Sequence, residues 1–430
     1  MQLAPVRDMM ETVVRNEWVM TDVDVNRSII FPSLRVKVQD SMEGKVPAYK
    51  VNMVFFSVYG VLACLFPFLT YYFQQQGLSY AEMGVAFALV SLTSAVAQPI
   101  WGLLADKYSN KRTILLIALT GCVLSVYTLM VAGGFWLVSM SIILVMSFLS
   151  PLVPVTDAYC FALNRHYGGF EYGRFRLMGS LGFALVALLA GWAVRQWGMD
   201  IAWYLYSAIS LYAMALILSI DFTDANPGIA VRRTDMQRLF TNRKVLLLLG
   251  AVLLTHIAVG SNGSYIAILM EATGGDVAHI GLLWFMVAIS ELPFLFYGAH
   301  LLRIFGELNL FVIGLTAFVL RYLLNSLCTS YVAVLVIQLM QGFTAMFVLM
   351  AALEYLNRVA PGRLRTVAMT VHAAAVALGG MIGNLGGGVL LEYVTIFVLY
   401  QILAVVCVAA LVLVYALKKM DKTKRPRYAA

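Results

Sequence analysis

The chain has 430 residues, 61% of them hydrophobic and 12% charged, with a mean hydropathy of +0.84. Soluble domains run nearer half apolar and a quarter charged, so this composition excludes a soluble globular protein and points to an all-α, polytopic membrane protein. The net charge of +8 is no nucleic-acid footprint, because the Lys and Arg residues sit in the tails or in alternate loops, with only Arg195 and Arg321 standing apart.

Residues 1–50 are polar, without a sustained helical or strand period and without an apolar run of signal-peptide length. They are expected to form a disordered cytoplasmic tail. From Val51 onward hydropathy predicts twelve membrane spans, at roughly 51–73, 80–104, 113–132, 136–162, 174–195, 200–220, 245–269, 278–301, 308–328, 331–357, 366–390 and 394–417. The central loop, 221–244, divides them into two six-helix halves, 51–220 and 245–417, and a basic tail follows at 418–430. The loops DKYSNKR, NRHYGGFEYGRFR and RVAPGRLR are basic, whereas QQQGLSY, GGF, EATGGD and CTS carry no Lys or Arg. That alternation predicts cytoplasmic termini in a multi-pass plasma (inner) membrane protein.

The halves echo each other weakly, with LNR at Leu163–Arg165 and again at Leu356–Arg358. Paired six-span repeats around a central site are a transporter layout. The five cysteines lie in apolar segments without CxxC or metal-like spacing, which reads as buried free thiols. There is no Walker loop and no metal-ligand spacing, so neither a metal, a cofactor nor a catalytic centre is expected.

A few polar residues within the spans carry the functional reading. Charges at membrane depth are costly and are functional by default. Asp157 and Arg176 flank one basic loop; Glu291 lies near the middle of span 8 and Arg321 in span 9. A carboxylate poised between desolvation and a nearby guanidinium is suited to load and release a proton. His256, mid-span 7, is a candidate relay, although a lone histidine is more often a hydrogen-bonded core residue. Gln338 and Gln341 share a face of span 10 and are expected to line a cavity, and Tyr59 is a further cavity candidate without independent support. Glu354 is expected to pair with Arg358 or Arg363, and the glycines at 379–388 to permit close helix contact.

Trp101–Arg112, WGLLADKYSNKR, places a glycine for close helix approach before an acid and a cluster of bases. It resembles the G-x-L-a-D-r-x-G-r-k signature of the major facilitator superfamily, in the expected place between spans 2 and 3, with Ser109 where the pattern has glycine. The resemblance implies a gating role for Gly102, Asp106, Lys107, Lys111 and Arg112.

The run FEYGRFRLMGSLGF, 170–183, is similar to the oligosaccharide:proton symporter (lactose permease) branch. It is equally similar to the phenylpropionate-permease and nucleoside:proton symporter group, and the likeness covers most of 50–415. It implies that Asp157 and Arg176 bind the solute, that Phe183 stacks on its ring, and that Glu291 and Arg321 belong to the solute and proton network. In span 10 the branch has a His and a Glu where this chain has Gln341 and Thr344, neither of which titrates.

The expectation is therefore a monomer in the lipid bilayer that couples protons to symport of a small polar or ring-bearing solute (sugar, nucleoside or aromatic acid) by alternating access. Two alternatives stay open: a proton-coupled exporter of amphipathic compounds, and a non-transporting receptor on the same fold.

Overall fold

The computed structural model describes residues 48–107, 110–167, 172–220, 222, 242–359 and 365–422. The expected tail up to Pro47 lies outside these residues, as does most of the central loop. The described helices all belong to one body, Val46–Ala430. Twelve helical stretches long and apolar enough to cross a membrane are present, matching the twelve expected spans. In hydrocarbon every backbone polar group must be satisfied within its own segment, which is why the described residues are helical with no strand among them.

Span 1 is Ala48–Leu65 continued through the turn Phe66–Phe68 into Leu69–Gln75; spans 2 and 3 are Tyr80–Lys107 and Lys111–Val131. Span 4 comprises Gly134–Leu149 and Leu152–Tyr167, and spans 5 and 6 are Tyr172–Trp197 and Asp200–Leu218. Spans 7, 8 and 9 are Arg243–Ala272, Val277–Phe305 and Glu307–Ser326. Span 10 comprises Tyr331–Gln338 and Gln341–Val359, and spans 11 and 12 are Arg365–Leu391 and Ile396–Lys422.

Two of the three interruptions have a chemical cause. Proline lacks the N–H that an α-helix needs, and Pro67 and Pro151 stand at the breaks in spans 1 and 4. Helix starts are capped by side chains: Asn110 Oδ1 accepts from Thr113 N at 3.1 Å, Asn242 Oδ1 from Lys244 N at 3.0 Å, and Asp276 Oδ1 from Ala278 N at 3.0 Å.

The packing repeats under a shift of six spans. Span 5 packs on span 1 in its own half and on span 8 of the other, while span 11 packs on span 7 and on span 2. This is direct structural evidence for the internal repeat that the LNR echo only suggested. The five cysteines are free and buried, as expected.

The two ends of the bundle differ. Toward the end whose loops carry little charge, the halves are bonded together. Gln74 Nε2 donates to Glu271 Oε2 at 2.9 Å, the Ala81 N–H to Glu392 Oε1 at 2.8 Å, and Arg195 pairs with Asp276 at 3.2 Å. Asn384 of span 11 is a hub within this seam. Its amide donates to Ser91 Oγ at 3.2 Å and to Phe87 O at 3.4 Å, while its Oδ1 accepts from Ser264 Oγ at 2.9 Å. At the basic end, ion pairs and hydrogen bonds knit each half to itself: Arg112 to Leu218 O at 2.8 Å in one, and Arg358 to Glu307 and Asp421 in the other. Spans 2 and 11 meet where Gly84 faces Leu385 O and Gly388, then present exposed residues further toward the basic end, Val96 and Gln98 on one and Ala374 and Leu378 on the other.

Candidate functional site

The interface between spans 5 and 8 holds most of the singled-out residues. These helices run antiparallel, and their facing positions form rungs. Nearest the low-charge end two glycines meet: a Cβ on Gly191 would come 2.8 Å from Gly281 Cα. Next, the rings of Phe183 and Trp284 lie edge to face with centroids 6.1 Å apart. Two turns further, Arg176 and Glu291 are electrostatic partners. Phe183 follows Arg176 by seven residues and Glu291 follows Trp284 by seven, so each helix presents its aromatic and its charge on one face, about 10 Å apart.

The Arg176 guanidinium lies over the Tyr59 ring, 4.7 Å from its centroid. That cation–π contact from span 1 supports a charge that would otherwise be costly at this depth. The Tyr59 hydroxyl and Arg176 Nη1 are buried and have no hydrogen-bond partner among the described residues. Buried polar atoms are nearly always paired, and these two adjacent atoms, among seventeen such side-chain atoms in the described residues, make this rung a candidate site for a polar group.

The sequence sets Arg176 apart for solute and Glu291 with Arg321 for protons. The structure links the two sets, since Glu291 lies within electrostatic range of both arginines. Arg321 is fully buried, 1% exposed. Its guanidinium donates to the side-chain oxygens of Gln338 and Gln341 and, at 3.4 Å, to Thr344 Oγ1. Gln338 is itself held, its amide donating to Val334 O at 3.2 Å and Asn325 Oδ1 at 3.4 Å. Neutral amide dipoles therefore surround this charge. Gln341 is also a polar neighbour of Glu291, which makes it the connection between Arg321 and the carboxylate. Gln338, expected on the cavity wall, is wholly buried in the Arg321 shell instead.

The other expected residues are more widely spread. Asp157 is half-buried in span 4, in the segment Leu152–Tyr167. His256 Nδ1 lies 2.8 Å from Val252 O, one turn back on its own helix. In the signature after span 2, the side chains of Asp106 and Lys107 lie outside the described residues. Lys111 is buried in the first turn of span 3, beside Arg112. Gly102 does not make the close helix contact expected of it: a Cβ there meets open space among the described residues, because span 2 is exposed in this stretch. Gly298, which holds a similar place in span 8, does make one, against Met350. Glu354 is exposed, and the carboxylates on Arg358 are Glu307 and Asp421, while Arg363, the other expected partner of Glu354, lies outside the described residues. In span 11, Gly379, Gly383 and Gly387 pack against span 7, and Gly388 against span 2, whereas Gly386 faces open space.

Two residues matter more than the sequence alone suggests. Tyr59 carries the guanidinium of Arg176, and Trp284, which no motif singles out, faces Phe183. The seven-residue spacing from Trp284 to Glu291 is the available signal.

Twelve spans in two six-helix halves, with a charged and aromatic interface between them, define a membrane transporter of the major facilitator fold. Residues 48–424 match the MFS_1 like family, and the chain belongs to it. It is similar to the maltose permease of Geobacillus stearothermophilus, 29% identical over 374 residues that cover 86% of this chain and 94% of that one. It is also similar to the raffinose permease of Escherichia coli, 29% identical over 148 residues, 33% of this chain and 35% of that protein. Among solved structures, the nucleoside transporter NupG matches with a TM-score of 0.76 at 15% identity, covering 88% of this chain and 99% of that one, a likeness of fold.

Proposed function

We propose that this transporter takes up a sugar together with a proton, with the basic end of the bundle in the cytoplasm of the plasma membrane. The observation that carries this reading is the pair of buried orphan polar atoms on Tyr59 and Arg176, set opposite Glu291 on the other half. A sugar hydroxyl can both accept from the guanidinium and hydrogen-bond the phenol. The near full-length similarity to a maltose permease supports the same solute class.

On this reading the structure is the inward-facing state, closed at the low-charge end by the Asn384 hub and the Gly191–Gly281 contact. Arg176 and Asp157 hold the solute, and Phe183 packs on its ring. Glu291 carries the proton. When Glu291 is ionised, its attraction to Arg176 draws the halves together at mid-depth, while Gln341 of its own half steadies the carboxylate; protonation cancels the charge and leaves Arg176 to the solute. Only such differential affinity between states couples the two fluxes. His256, bonded to its own helix, stays outside this path. The bases Lys111 and Arg112 with Gly102, Asp106 and Lys107 act at the cytoplasmic gate, the protein working as a monomer.

The test is uptake of radiolabelled maltose into proteoliposomes with an imposed inward proton gradient. Accumulation above equilibrium, abolished by a protonophore, is the expected result. Accumulation driven by an outward gradient would mean an exporter, and absence of flux for every sugar would remove the sugar assignment.

A further inference from the structure

We propose that Trp284 is the second wall of the solute site and selects for a closed sugar ring, which enters between Trp284 of span 8 and Phe183 of span 5. The inference rests on the sugar reading above and deepens it.

Four observations converge. The two rings come from opposite halves and already touch, edge to face at 6.1 Å, so a ring inserted between them would be held by both halves at once. Neither is part of the sealed core: both are half-buried, packed against the core from its edge. Each stands two turns from the charge on its own helix, so a solute whose hydroxyls reach Arg176 and Tyr59 has its far end at the aromatic rung. The Trp284 indole N–H makes no hydrogen bond among the described residues, and a tryptophan at membrane depth with an unused donor is suited to an amphipathic partner.

Pyranose rings offer what this rung needs: an apolar face of axial C–H bonds for the π surfaces, and equatorial hydroxyls at the rim for the indole N–H. An open-chain polyol has the same hydroxyls but no flat face. The clamp therefore discriminates ring from chain, while the Arg176–Tyr59 end reads hydroxyls in either. Because Phe183 and Trp284 lie on different halves, ring binding also bridges the interface just below the Gly191–Gly281 contact. That position ties recognition to closure of the low-charge end.

The experiment measures maltose and sorbitol binding to purified full-length wild type, Trp284→Ala, Trp284→Phe, and the Phe183→Ala/Trp284→Ala double variant. Trp284→Ala is expected to weaken maltose binding by about tenfold and Trp284→Phe to restore it to within about threefold. Sorbitol binding should be the same in all four proteins. The double variant should bind maltose little more weakly than Trp284→Ala, because a clamp with one wall gone has little left to lose. Unchanged maltose binding in Trp284→Ala, or equal weakening for maltose and sorbitol, would overturn the clamp. Wild type that fails to bind maltose would overturn the sugar reading beneath it, an outcome distinct from both.

Discussion

Arg176 and Glu291 face each other across the interface between the halves within electrostatic range, one from span 5 and one from span 8, with the Tyr59 ring beneath the guanidinium. This rung is held by geometry as much as by charge. Arg176→Lys keeps the positive charge but loses the planar stack on Tyr59 and the forked donors. We expect Arg176→Lys to weaken maltose binding nearly as far as Arg176→Ala, by about tenfold or more, measured by isothermal titration. Full rescue by lysine would show that charge alone matters.

The glycine rung sets how closely the low-charge end can shut. On Gly281, any side chain would meet the Ala187 carbonyl oxygen and, at 2.9 Å, Gly191 Cα. Gly281→Leu should force spans 5 and 8 apart and favour the state open at that end. A cysteine placed at exposed Trp197 would then report no change, whereas one at buried Ala187, whose carbonyl faces Gly281, should gain reactivity toward a water-soluble maleimide.

The twelve spans and their boundaries are legible in the sequence because the bilayer imposes a length and composition that hydropathy reads directly. Charges at membrane depth are equally visible: Asp157, Arg176, Glu291 and Arg321 stand out against an apolar background. Partnership is not. Asp157 is the acid nearest Arg176 among the spans in sequence, yet Glu291, more than a hundred residues away, is the carboxylate found near it. Gln338 and Gln341 share a helix face, but one is sealed on Arg321 and the other faces Glu291 as well, a difference set by how spans 8, 9 and 10 pack. Trp284 is hidden among many aromatic residues, and only the antiparallel register with span 5 gives it a role.

On the proposed mechanism, the shell around Arg321 separates folding from coupling. Gln338→Leu removes an oxygen from a wholly buried guanidinium and should cost about 1–3 kcal/mol, seen as a lower Tm. Gln341→Leu leaves Gln338 and Thr344 on Arg321, so Tm should fall less. Proton-driven accumulation should fall more, because the connection to Glu291 is cut. Equal effects of the two substitutions on both readouts would contradict this division.

Asp276 provides a pH-dependent contribution at the low-charge end. Partial burial by itself would raise its carboxyl, but the bond from the His279 backbone N–H, the His279 ring and Arg195 together hold it below the usual carboxylate range. A depressed value in the folded protein means stabilisation that is complete above the unfolded value of about 3.9 and is lost as pH falls through the folded one. Asp276→Ala should cost about 0.5–2 kcal/mol at pH 7, mostly through loss of the helix cap, since the Arg195 pair is exposed to solvent. The Tm difference from wild type should close as pH is lowered below about 4. A difference that widened on acidification would contradict the assignment.

On the proposed mechanism, coupling rests on Glu291. The most direct measurement compares Glu291→Gln with wild type in proteoliposomes, following maltose exchange at equal proton concentrations and maltose accumulation against an imposed proton gradient. Glu291→Gln is expected to keep exchange, because the neutral amide mimics the protonated acid, and to lose accumulation entirely. Proton-driven accumulation by Glu291→Gln at the wild-type level would show that the coupling proton is carried elsewhere.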